Sequence, residues 1–282
     1  MNLQLDEKPD GMVALATDDA RKARVAVVMV TTDSHAPYIC EAIRSVQAQT
    51  LAEWELVIQD DGPRGLTGEA AADLVKNDER ISYALQENAG IWNLAHTYNR
   101  ALEKTCAPFI AILESDDYWP ADKLQTQVEA LENSDAVLSY GLVQHVSSDG
   151  TEHFDCAPHE ELQKRADVLA NRPIGRATLA MSYEGQFVSP GSIVIRRASL
   201  EEIGGFQFRD YYPSTDFPTV MELSLRGAFD FHARVMGFGR RHQSSATART
   251  VTQQTYIPAM FRCWREAAEQ HDLLIPRDEY GR

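Results

Sequence analysis

The chain has 282 residues, 44% hydrophobic and 24% charged, with 27 Lys plus Arg against 42 Asp plus Glu and a formal net charge of −15. That composition excludes disorder of the whole chain, and the acidic balance excludes a basic nucleic-acid footprint and polybasic docking on anionic lipid. It leaves room for a phosphorylated ligand bridged to carboxylates by a metal ion. No run of about 18 apolar residues occurs, so no integral membrane segment is expected. The four cysteines, Cys40, Cys106, Cys156 and Cys263, show no C-x-x-C spacing and fit reduced thiols in a cytoplasmic protein.

Residues 1–24 read as a mobile polar leader. Val25 to Val30 is a continuous apolar run, the pattern of a strand buried on both faces. A helix is predicted over 38–49, where Tyr38, Ile39, Ala42, Ile43 and Val46 share one side. Strands are predicted over 54–59, 81–85 and 108–113, with helices over 67–77 and 91–104. Pro120 suits the first turn of a helix reaching about Leu131, and 136–146 has strand character. This alternation predicts a parallel α/β arrangement over 25–146, with ligands outside the carboxyl ends of the strands.

The second half is less regular. Residues 147–189 read as a long excursion with one helix near 159–171. A strand is predicted over 191–196, a short helix over 198–203 stopped by Gly204-Gly205, a helix over 216–226 and a strand over 229–235. The last predicted helix, 257–271, carries Ile257, Met260, Phe261 and Trp264 on one side, a stripe expected to be core packing. No repeat or linker divides the chain, so one domain is expected.

Four constellations can carry chemistry. Asp60-Asp61 ends the second strand, where it either accepts hydrogen bonds from a nucleoside or builds the Asp-Gly-Pro turn. Glu114-Ser-Asp-Asp117 ends the third; three carboxylates in four residues repel one another unless a cation neutralises them, although a solvated helix start is the competing reading. Oxygen ligands of this kind suit Mg²⁺ or Mn²⁺. Asp216 opens a helix as a cap or a general base, and its position alone favours the cap. In Arg240-Arg241-His242, the arginines are either diphosphate contacts or solvated, and His242 is either a metal ligand or a surface residue. The other histidines, His35 among them, show no ligand spacing and receive no role.

In this order the segments resemble a glycosyltransferase of the GT-A fold, family 2 type. Val25-Ala-Val-Val-Met-Val-Thr-Thr-Asp33 with Pro37-Tyr38, Trp54-Glu-Leu-Val-Ile-Gln-Asp-Asp-Gly62 and Glu87-Asn-Ala-Gly90 resemble its opening half. Phe109-Ile-Ala-Ile-Leu-Glu-Ser-Asp-Asp-Tyr-Trp-Pro120 resembles its D-x-D region. Pro190 to Arg197, Ile203-Gly-Gly-Phe206, Thr215-Asp216 and Arg241-His242 resemble its later motifs. The resemblance covers about residues 25–245. It implies a Rossmann-like mixed α/β sheet flanked by helices, with a nucleotide-binding half (25–146), an acceptor half (147–245) and a C-terminal helical segment (246–282).

The resemblance further implies a metal-dependent, inverting transfer of a sugar from a nucleotide donor of UDP, dTDP or GDP type. The acceptor would be a hydroxyl on a glycan, a lipid-linked molecule or a small molecule, as in surface glycan biosynthesis. By the same carry-over, Val30, Thr32, Asp60, Asp61 and Asp116 would contact the nucleotide. Asp117, with Asp116 and His242, would hold Mn²⁺ or Mg²⁺, and Asp216 would be the base. Two competing readings are a sugar-phosphate nucleotidyltransferase, which needs a Gly-rich basic loop where Thr31-Thr-Asp-Ser34 stands, and a degenerate scaffold that binds without catalysis.

Overall fold

The computed structural model describes residues 23–212, 214–243, 245 and 253–271. Most of the expected leader, 1–22, lies outside the described residues. Arg24 is already tied in, its backbone N–H donating to the Glu53 carbonyl at 2.7 Å.

The first half alternates as its sequence predicts. Strands β1 (Val25–Thr31), β2 (Trp54–Asp60), β3 (Ile81–Leu85) and β4 (Phe109–Ile112) are separated by helices α1 (Ile39–Gln47), α2 (Leu66–Lys76) and α3 (Leu94–Leu102). All four strands run parallel in the order β3-β2-β1-β4. Two cores flank the sheet. Ala26, Val28 and Ile110 face one core with Tyr98 and Ala101 of α3; Val25, Val27, Met29 and Ala111 face the other with Ile39, Ile43 and Val46 of α1. Successive residues of a strand point to opposite faces, and both faces here are dry, so the strand reads as an unbroken apolar run.

Helix α4 is Lys123–Glu132, three residues later than Pro120 suggests. Residues 120–122 form a turn instead, and the Pro120 carbonyl accepts from the Lys123 N–H at 3.2 Å and Gln49 Nε2 at 2.8 Å. Beyond it the sheet becomes mixed. Strand β5 (Leu138–Val146) is joined to β4 through the antiparallel β7 (Val194–Arg196), pairs antiparallel with β6 (His153–Ala157) and parallel with β8 (Phe229–Arg240). The described residues therefore form a single mixed α/β domain.

The irregular segment holds more structure than its sequence suggests. It contains β6, the short helices α5 (Glu160–Gln163) and α6 (Ala166–Leu169) where one helix was expected, and α7 (Arg176–Glu184). The buried side of α7 is Ala177, Thr178, Ala180 and Met181, of which only Met181 is a large apolar residue, so almost no apolar period is left to read. Helices α8 (Arg197–Glu202) and α9 (Asp216–Ser224) follow, and α10 spans Gln253–Gln270. The rest of 246–282 lies outside the described residues, His271 excepted.

Strand β8 runs five residues beyond its predicted end at Val235. Gly237 and Gly239 interrupt the apolar pattern, but Gly237 is required: a Cβ there would come within 2.9 Å of the Gly191 carbonyl oxygen. The extension carries Arg240 and then His242 to the carboxyl end of β4.

Candidate active site

The carboxyl ends of β1, β2 and β4 lie side by side, with Thr31 paired to Asp60 on one flank and Val28 to Ile112 on the other. Asp60 is fully buried. Its carboxylate accepts from the Gly62 N–H at 2.7 Å, from the Tyr83 hydroxyl at 2.5 Å and from the Thr67 hydroxyl. Gly62 is needed because a Cβ would stand 2.8 Å from the Asp33 backbone nitrogen. Asp60 thus builds the turn rather than facing a ligand, the second of its two sequence readings.

Asp61 is equally engaged. Oδ1 accepts from Gln86 Nε2 at 2.6 Å and the Ala89 N–H at 2.7 Å; Oδ2 accepts from the Gly90 N–H at 2.9 Å and Asn88 Nδ2 at 3.4 Å. A carboxylate has about four acceptor sites, and all are filled. In this conformation Asp61 has no acceptor left for a base N–H; it fixes the Asn88–Gly90 loop. Val30 packs half-buried against the core, and the Thr32 carbonyl starts a 3₁₀ turn by accepting the His35 N–H at 2.8 Å.

That turn has a consequence the sequence hides. It places His35 against the acidic loop, its Nδ1 2.7 Å from Ser115 Oγ and its Nε2 3.5 Å from Asp116 Oδ2. From the far end of the chain, His242 Nε2 reaches Asp116 Oδ2 at 2.8 Å. One ligand atom from each of His35, Asp116 and His242 lies within 4.8 Å of the others. His35, given no role from spacing, is therefore part of the cluster. Eighty residues separate it from Ser115, and no local motif announces the meeting.

Arg240 clamps this loop. Its backbone N–H donates to Asp117 Oδ1 at 2.8 Å, Nε to the Asp116 carbonyl at 2.9 Å, Nη1 to the Ser148 carbonyl at 2.7 Å and Nη2 to Glu41 at 2.6 Å. Neither expectation for Arg240 holds: it is buried, and its donors go to protein. Arg241 pairs with the exposed Asp155 at 2.8 Å. Behind the loop, Trp119 Nε1 donates to the Gly191 carbonyl at 2.7 Å, and the buried Lys123 ammonium sits 4.2 Å from the Trp119 ring centroid. Asp117, facing Arg240 and Gly191, stands outside the three-residue cluster.

The electrostatics of the loop are those of a site short of positive charge. Burial and the charges of Asp116 and Asp216 push Glu114 up to about 8. Burial, then Asp116 and Glu114, push Asp117 well above the usual carboxylate range. Burial alone would raise Asp116 too, but the hydrogen bond to His242 and the nearby His35 hold it below that range. Two imidazoles and one carboxylate form a donor set that fits Mn²⁺ better than the oxygen-preferring Mg²⁺. The Ser115 hydroxyl on His35 supplies the outer support that ligating imidazoles commonly have.

Asp216 opens α9 within electrostatic reach of Glu114. Oδ2 accepts from Gln186 Nε2 at 2.6 Å, and Oδ1 from the Ser214 hydroxyl. Burial pushes its pKa up, moderated by Gln186. Tyr98, buried beneath the site on α3, ties the groups together: burial first, then the charges of Glu114, Asp216, Asp116 and Asp117, hold its phenol well above its ordinary value. Gln186 lies in the irregular segment, and nothing in its neighbours marks it.

Comparison with known proteins bears on this arrangement. Residues 26–204 match the family model described as Glycosyl transferase family 2. The chain is 34% identical over 171 residues to TuaG of Bacillus subtilis (strain 168), provisionally named a teichuronic acid biosynthesis glycosyltransferase; the match covers 58% of this chain and 66% of TuaG. It is 30% identical over 143 residues to the Escherichia coli UDP-Glc:alpha-D-GlcNAc-diphosphoundecaprenol beta-1,3-glucosyltransferase WfgD, covering 51% of this chain and 54% of that protein. Among solved structures, S. aureus TarS 1-349 in complex with UDP-GlcNAc superposes with a TM-score of 0.63 at 15% identity, over 89% of this chain and 68% of that one. The same TarS segment in complex with UDP gives 0.61 at 16% identity, over 89% and 67%. At these identities the structural likeness establishes the fold.

Proposed function

Since the chain belongs to glycosyl transferase family 2, we propose that it moves a sugar from a nucleoside-diphosphate donor to an acceptor hydroxyl, with inversion and with the help of a divalent metal. The observation that carries this reading is that ligand atoms of His35, Asp116 and His242 lie within 4.8 Å of one another, with Asp216 near enough to Glu114 of the same loop for its charge to act there. Neighbouring folds that hold UDP-GlcNAc and UDP, and relatives named for polymer and lipid-linked glycan synthesis, support a nucleotide-sugar donor and a role in surface glycan assembly.

Asp116, His35 and His242 would hold the cation, whose chemistry there is to neutralise the charge developing on the leaving diphosphate. Arg240 and Trp119 keep the acidic loop in place for that task. Asp61 shapes the Asn88–Gly90 wall on the nucleoside side, with Val30 and Thr32 beside it. On the acceptor side, Asp216 takes the proton of the attacking hydroxyl while its oxygen bonds to the anomeric carbon and the carbon–diphosphate bond breaks from the opposite face. Gln186 and Ser214 orient the carboxylate, and burial raises its basicity. Among the described residues no helix is long and apolar enough to cross a membrane, and Cys40, Cys106, Cys156 and Cys263 are free thiols.

The test is product stereochemistry. With a matched donor, Mn²⁺ and acceptor, NMR of the glycoside should show the anomeric configuration opposite to the donor's. Retained configuration overturns the inverting assignment, and metal-independent turnover overturns the cation's role.

A further inference from the structure

The stripe on α10 that its sequence assigns to the core is only partly there. Ala259, Cys263 and Ala267 face the core, whereas Ile257 is 47% and Phe261 55% exposed. These two, with Trp264, form one wall of a cavity of ≈ 240 Å³ whose other side is Met181 and Tyr183 of α7 and whose floor includes Phe217. Met181 and Phe217 are buried, while Tyr183 is 48% exposed, so an apolar floor opens through a rim that is apolar apart from Ser182 and Glu184. Single exposed apolar residues need no explanation, but three around one apolar cleft mark a binding surface.

Position says what the cleft is for. Phe217 directly follows Asp216, and Gly185 at the cleft edge directly precedes Gln186, whose amide holds Asp216 Oδ2 at 2.6 Å. The lining of the cleft thus adjoins, along the chain, the two residues that meet at Asp216 Oδ2. No Lys or Arg is among its described lining residues and Glu184 stands at its edge, a lining that does not favour a phosphate. Its volume is below the ~300 Å³ at which pockets begin to hold a whole small ligand, so it suits one part of a larger molecule. Flexible Met181 and Met260 adapt to a chain without fixed shape. Much of the wall comes from beyond residue 204, where the family match ends.

We propose that this cleft receives the hydrocarbon chain, alkyl or prenyl, of the acceptor whose hydroxyl Asp216 deprotonates. The proposal rests on the acceptor-side reading of Asp216 given above.

The probes are n-alkyl β-D-glucosides from methyl to octyl, each below its critical micelle concentration, titrated into the full chain while tryptophan emission is followed. Trp264→Phe assigns the signal to the cleft. The expected result is saturable binding that tightens about fourfold per added methylene until the cleft is filled. Phe261→Ser and Ile257→Ser alter exposed residues, so the fold should persist, and each should weaken octyl binding at least about tenfold. Equal octyl binding by wild type and Phe261→Ser, no dependence on chain length, or burial of this face in a dimer that excludes octyl glucoside overturns the proposal. Thermal stabilisation by nucleoside diphosphate with Mn²⁺ is read on the same samples. Its loss alongside intact alkyl binding counts against the transferase reading, and its retention without alkyl binding counts against the cleft.

Discussion

His242 Nε2 lies 2.8 Å from Asp116 Oδ2 across 126 residues of chain, and the contact exists because β8 overruns its apolar segment through two glycines. Strand length, not a local motif, brings the imidazole to the acidic loop. The contact also helps hold Asp116 below the usual carboxylate range, while burial and mutual repulsion push Glu114 and Asp117 above it.

The metal account makes its prediction at that contact. Asp116→Asn and His242→Ala should each weaken Mn²⁺ binding by at least about 10- to 100-fold, the range seen when even a supporting contact is lost. His35→Ala should do the same, which separates this cluster from one built on the acidic loop alone. Calorimetric titration with Mn²⁺ checks all three, and Mg²⁺ should bind the wild type more weakly.

Asp216→Asn should lower kcat by about 10²- to 10⁴-fold with donor binding unchanged. The base works only when ionised, so the rate should fall on the acid side as pH drops through the raised pKa. Gln186→Leu removes a hydrogen bond that favours the ionised form, and it should shift that acid limb to higher pH. A pH–rate profile reads both.

The same carboxyl carries a stability signature. Its folded pKa lies above the unfolded value, so the native state holds the proton more tightly. Stability is therefore lost as pH rises from the ordinary carboxylate range through the raised value. Asp216→Asn should accordingly raise Tm at neutral pH while it removes activity, and thermal melts at pH 4 and pH 7.5 should show the gain only at the higher pH.

Asp60→Ala should be a folding variant. It strands the Gly62 N–H and the Thr67 and Tyr83 hydroxyls, and the loss should be about 2–4 kcal/mol by urea unfolding. A surface carboxylate waiting for a nucleotide would lose about 0.5 kcal/mol or less.

The legible parts of the fold were those where burial leaves a period. β1, β2 and β4 are covered on both faces and read as apolar runs, and α1 buries Ile39, Ala42, Ile43 and Val46 at helical spacing. α7 is illegible because its buried side holds a single large apolar residue, Met181, and β8 reads short because the glycines that let it pass Gly191 look like a stop. In the site, Asp116, Asp216 and His242 were visible as residues capable of chemistry. For Asp60 and Asp61 the sequence leaves the nucleoside and turn readings open, because whether a strand-end carboxylate is filled from within depends on partners such as Tyr83 and Gln86, distant in sequence. His35 and Gln186 were invisible for the same reason.

The most direct measurement is a thermal-shift panel of UDP-, GDP- and dTDP-sugars, each with and without Mn²⁺, on wild type and His242→Ala. A donor at about 100 times its Kd should add ~2.7 kcal/mol of stability. The account predicts a shift with one nucleotide that requires Mn²⁺ and is lost in His242→Ala. A shift of equal size without metal, or one untouched by that substitution, would contradict it.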